Sequence, residues 1–125
     1  MKPTPTRKPD IVVYADGQIL LNARARQTLV LLKGDVVNIH RVGYDEYVIY
    51  VHKRAFEAVG DQRNVLHPSK PPYKHLRFFN AGYAKMLLPK KAIKAGFYIG
   101  PRTSYASRVA ANIITHNPLD VQYRR

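Results

Sequence analysis

The chain has 125 residues, of which 46% are apolar, with no cysteine and a formal net charge of +13. That length and composition predict one folded domain with a modest core, and the missing cysteines exclude a disulfide framework, thiolate metal sites and cysteine nucleophiles. No run reaches the roughly eighteen apolar residues of a membrane-crossing helix, and the first nine residues lack the apolar stretch of a signal peptide, so a soluble cytoplasmic protein is expected.

Residues 1–9, rich in proline and charge, read as a flexible basic arm ahead of a single domain over 10–125. Ile11-Val12-Val13-Tyr14 is a short β-rich run, and Asp16-Gly17 is a turn signal between it and Gln18-Ile19-Leu20-Leu21. Asn22 can cap a helix over 23–32, in which Ala25, Thr28, Leu29 and Leu32 form one apolar stripe. Lys33-Gly34-Asp35 is the expected stop, with Gly34 as the left-handed cap. The β-branched run 36–42, a turn at Gly43-Tyr44-Asp45-Glu46 and a second strand over 47–52 predict a hairpin. Val48 and Tyr50 alternate with Tyr47, Ile49 and Val51, so both faces of its second strand should be at least partly covered.

A short helical pattern at 54–59 is followed by Gly60, Pro68, Pro71 and Pro72, which make 55–74 a long connection. A second unit then starts: a strand at Leu76-Arg77-Phe78-Phe79, Asn80 as cap, and a helix over 81–88 that groups Ala84, Leu87 and Leu88. Phe97-Tyr98-Ile99 and 111–116 read as further strands. Leu20-Leu21-Asn22-Ala23 and Phe78-Phe79-Asn80-Ala81 each end a strand at the mouth of a short helix. This recurrence reads either as a diverged internal repeat, with sub-units 10–54 and 75–117, or as coincidence. The fold class expected is α+β, a small mixed barrel or sheet with two short helices and at least six strands.

Charge is the strongest functional signal. Residues 1–54 hold nine basic and five acidic side chains, whereas 55–125 hold twelve and three, and no acid lies between Asp61 and Asp120. A one-sided run of this kind suits a polyanionic partner better than it suits a salt-bridged surface. Lys85, Lys90, Lys91 and Lys94 are the best candidates for phosphate contacts, with Arg77, Arg102 and Arg108 in the same acid-free stretch. Nine tyrosines and four phenylalanines supply rings on which unpaired bases could stack, although most are expected in the core. The five histidines show neither metal-ligand spacing nor a carboxylate pair, and no nucleophile elbow or glycine-rich phosphate loop is present. Neither an enzyme nor a cofactor or metal site is therefore expected.

Gly17-Gln18-Ile19-Leu20-Leu21, then Arg26, Leu29 and Leu31, then Gly34-Asp35-Val36-Val37-Asn38-Ile39, resembles the AbrB/SpoVT family of swapped-hairpin DNA-binding proteins. The resemblance covers 17–39; Gln18 stands where that family has a basic residue and Asn22 where it usually has proline. It implies a swapped-hairpin or double-psi-like barrel made from two such units, contributed by a homodimer or by tandem repeats in one chain. It carries Arg26 over as a DNA-contacting or structural residue, and Arg24 is a basic neighbour. The function expected is binding of double-stranded DNA by a small regulator or accessory protein. A single-stranded DNA or RNA binder that uses aromatic stacking, and a basic assembly protein without a nucleic-acid ligand, are the alternatives.

Overall fold

In the computed structural model, residues 8–53, 64–68 and 75–124 are described. The expected helix at 54–59 and most of the N-terminal arm lie outside these residues. The elements are β1 (Ile11–Tyr14), β2 (Gln18–Leu21), α1 (Ala23–Leu29), β3 (Val36–Gly43), β4 (Glu46–His52), β5 (His67–Pro68), β6 (Leu76–Phe79), α2 (Ala81–Leu87), β7 (Ala92–Ile99), β8 (Thr103–Tyr105) and β9 (Arg108–Tyr123). All the strand pairings are antiparallel, in the order β3-β4-β9-β7-β1-β2-β6-β5 with β8 beside β9. The β3 and β5 edges meet over a short stretch: Val36 bridges Val65, Gly34 N–H donates to Leu66 O at 3.0 Å and Leu66 N–H donates to Asp35 O at 2.8 Å. The sheet is a partly closed barrel of mixed α+β character.

Strict alternation on β1, β2 and β6 fills the interior. Ile11, Val13, Ile19, Leu21 and Phe78 are fully buried and meet Phe97 of β7 and Ile49 of β4 in one core. Each such side chain contributes about 1.5–3 kcal/mol by leaving water. β2 and β6 run antiparallel as neighbours, and each passes through one asparagine into a helix, so α1 and α2 leave the sheet at opposite ends. Ala25 and Leu29 of α1, and Ala84 and Leu87 of α2, turn into the core from those two ends. Among the described residues no helix is long and apolar enough to cross a membrane.

Four expectations need correction. First, α1 stops at Leu29 instead of running to 32, because Val30 takes the left-handed conformation (φ 53°). Leu31 is then buried and Leu32 is 64% exposed. A β-branched residue is strained there, and two distant cations hold the turn in place: Arg102 donates to the carbonyls of Thr28 (2.6 Å) and Gln27 (3.0 Å), and the Lys53 ammonium donates to Val30 O. Second, Gly34 has φ +89° but belongs to the turn that enters β3, so it is not the helix cap. Third, the Asn22 side chain makes no cap; its Nδ2 donates to Pro9 O. Fourth, strands β7 and β9 extend well beyond 97–99 and 111–116. Within the connection 55–74, the described residues 64–68 hold β5 and the buried Asn64 and Leu66. Register shifts at Lys94, Gly96 and Tyr98 let β9 carry Pro118, which has no N–H to pair, as a bulged strand.

Candidate nucleic-acid interface

The α2 end of the barrel is built by a tight joint. Asn80 caps α2, its Oδ1 accepting from Tyr83 N–H at 3.0 Å, while its own backbone N–H donates to Gly17 O at 2.9 Å. Gly17 has φ +104°, and a Cβ there would lie 3.2 Å from Ala81 N, so only glycine lets the β1–β2 turn rest against the start of α2. The Asn80 Nδ2 donates to Asn64 Oδ1 at 2.9 Å, and Asn64 reaches Asn38 of β3 and the Tyr83 hydroxyl. This polar seam ties α2 to the closing edge of the sheet.

From that joint the lysines follow. Lys85 points outward from a helix whose Ala84 and Leu87 point inward. The chain leaves α2 through Leu88 and Pro89, and a turn closed by Ala92 N–H on Pro89 O (3.0 Å) exposes Lys90 and Lys91. Lys85, Lys90 and Lys91 line a groove of about 660 Å³ with Ala15, Ala81, Leu88, Pro89 and Ala92. It adjoins a hollow of about 490 Å³ lined by Ala15, Lys91, Ala92, Ile93 and Arg124. Among the described residues no carboxylate lines either one; Asp16, next to Ala15, turns its Oδ1 to Gln18 N–H at 3.0 Å. Lys94 follows on β7, its Nζ 5.5 Å from the centroid of the Tyr14 ring. Lys85, Lys90, Lys91 and Arg124, around two adjoining concavities with no lining carboxylate among the described residues, concentrate positive potential where an anion can approach.

The remaining expected residues do not join this groove. Arg77 sits on β6 with its guanidinium 6.0 Å from the Phe79 ring. Arg24 and Arg26 belong to α1 at the opposite end, where Arg24 Nε lies 3.9 Å from the buried Asp10 carboxylate and Arg26 lines a separate hollow with Gln27 and Val30. Arg102 is committed to the α1 carbonyls. Arg108 starts β9 near Tyr50 and His52; burial first, and then the Arg108 charge, lower the His52 pKa from the ordinary histidine value. Tyr50 is pushed above the usual tyrosine value, first by burial and then by the neighbouring Tyr83 and Tyr105 phenols. The groove gains Arg124, which sequence reasoning missed because β9 was expected to end at 116. Among the described residues, no three metal-capable side chains gather at one point.

No protein-family model, curated protein or solved structure matches the chain.

Proposed function

We propose that this protein binds nucleic acid through its phosphate backbone, with the α2 end of the barrel as the contact surface. The observation that carries the reading is the pair of adjoining hollows lined by Lys85, Lys90, Lys91 and Arg124, in which no carboxylate lines the walls among the described residues. Such a surface gains affinity by releasing the counterions condensed on each phosphate it neutralises. It reads charge and spacing, not base sequence. Within this reading the protein is a non-enzymatic regulator or accessory factor, and the AbrB/SpoVT resemblance favours double-stranded DNA as its first partner.

A swapped-hairpin ancestry is supported by the strand order. Exchanging β1 with β5, β2 with β6, β3 with β7 and β4 with β9 reproduces the same circle of pairings, the Val36–Val65 bridge taking the place of β1 beside β7. Two units of one design within one chain account for that order. A homodimer is not needed to complete it.

A salt titration with a short labelled duplex tests the reading. The wild type should weaken steeply with salt, and Lys90→Glu/Lys91→Glu should lower the slope of log K against log salt by about 2, roughly one per lost phosphate contact. An unchanged slope and affinity would remove the groove as the contact surface.

A further inference from the structure

Beside the lysine groove lies a sheet face that carries rings and cations on its outer side. Ile11, Val13, Ile19, Leu21, Leu76 and Phe78 point into the core, so the residues between them point outward. The strand registers set these outward residues in two rows. Lys94 pairs with Tyr14, and across the β1–β2 turn Gln18 pairs with Phe79. In the second row Val12 pairs with Leu20, Leu20 with Arg77, and Arg77 with His67. Each row therefore carries a cation, and each cation stands over a ring: Lys94 over Tyr14 at 5.5 Å and Arg77 over Phe79 at 6.0 Å. The four strands β1, β2, β6 and β7 contain no acidic residue. Phe79, the last residue of β6, is 49% exposed.

From this we infer that the outer face of β7-β1-β2-β6 binds single-stranded nucleic acid, with Tyr14 and Phe79 as stacking platforms and Lys94 and Arg77 as their phosphate partners. The inference rests on the nucleic-acid reading above and names the form of the ligand. In a duplex the flat faces of the bases are already stacked on one another, so an exposed ring on an open sheet gains nothing from them; a single strand offers those faces freely. Tyr14 and Phe79 stand two strands apart, about 10 Å, which matches some three nucleotides at a stacked rise of ~3.4 Å. Tyr14 adjoins Ala15 in the wall of the lysine groove, so a strand lying on the sheet continues onto Lys90 and Lys91, where no carboxylate lines the groove among the described residues.

The test uses the full chain with a labelled oligo-thymidine and a labelled duplex of equal length, each titrated at low and high salt. Phe79→Ala and Tyr14→Ala should each weaken single-strand binding at least about fivefold, leave the duplex within about twofold, and leave the salt slope unchanged, because a ring and not a charge is lost. Phe79→Tyr should restore the single-strand affinity, which separates stacking from a folding defect. If the wild type binds the duplex in a Lys90- and Lys91-dependent manner while Phe79→Ala leaves the single strand unchanged, this inference fails and the groove reading stands. If the wild type binds neither oligonucleotide, both fail. A wild-type dimer that Phe79→Ala dissociates, with no effect on single-strand binding, would assign the face to a second copy of the chain and overturn the inference.

Discussion

The barrel has two outer faces made in the same way, and they have opposite fates. On the β3–β4 hairpin the outward residues Val48 and Tyr50 are 3% and 7% exposed, because β8 lies beside β9 and brings Tyr105 against them. His40 joins that cluster, its Nε2 3.0 Å from the Tyr50 hydroxyl and its Nδ1 3.4 Å from the Tyr105 hydroxyl. On β1, β2 and β6 no such hairpin is laid down among the described residues, and Phe79 keeps half its surface in water. A ring on the closed face is a structural part whose removal is felt by the fold; a ring on the open face is available to a partner.

The sharpest way to break this comparison is to remove one ring from each face. Tyr50→Ala should destabilise the protein by about 3–5 kcal/mol, the range for emptying a packed aromatic site, with a clear fall in Tm. Phe79→Ala should change stability by no more than about 1 kcal/mol, since half of its apolar surface never left water. Equal losses in chemical denaturation would mean that the two faces are packed alike.

Next in size is the joint that holds the open face to the lysine groove. Gly17→Ala forces a Cβ against the backbone of Ala81 at a positive φ, and a loss of about 1–3 kcal/mol is expected in thermal unfolding. Wild-type stability in that variant would mean that the turn and α2 can separate freely. At the α1 end, Arg102→Ala should cost about 1 kcal/mol by releasing the carbonyls of Gln27 and Thr28, with nucleic-acid affinity falling little. A large affinity loss with intact stability would return Arg102 to the binding surface.

The smallest effect is a pH dependence confined to the closed face. His52 has its folded pKa below the ordinary value of about 6.5, so the folded state resists its protonation. Its contribution to stability is therefore complete above that ordinary value and is lost as pH falls through it toward the depressed folded value. Denaturation midpoints of wild type and His52→Gln, compared between about pH 7.5 and pH 5, should show the wild type losing more on acidification. Parallel curves would show that the histidine is not confined by Arg108 and its burial.

Much of the fold was legible because alternation and turn chemistry are local. Gly17, the hairpin 36–52 and the Asn80 cap carry their structure in their own neighbourhoods, and the two-sided apolar pattern of Tyr47-Val48-Ile49-Tyr50-Val51 announces burial on both sides. What failed was decided at long range. The Gly34 stop lost to Val30 because Arg102 and Lys53 arrive from elsewhere in the chain. The recurrence of Leu20-Leu21-Asn22-Ala23 and Phe78-Phe79-Asn80-Ala81, open in the sequence between repeat and coincidence, differs in its burial, Leu21 being buried where Phe79 points outward. The lysine cluster at the end of α2 was visible as a run of charge in one stretch of sequence. Arg124, the Tyr14–Lys94 pair and the separation of Arg24, Arg26 and Arg102 onto the other end required the register of the sheet.

If position, and not net charge alone, makes the α2 end the proposed contact surface, charge reversals at the two ends of the barrel should act differently. The most direct measurement compares two double variants with the same change in net charge in one salt series: Lys90→Glu/Lys91→Glu at the α2 end, and Arg24→Glu/Lys33→Glu at the α1 end, binding the same duplex. The account predicts that the first loses affinity and about 2 units of salt slope, while the second keeps the wild-type slope and loses only a little affinity through the long-range field. Equal losses in both would contradict it, leaving a protein whose charge attracts polyanions from every side.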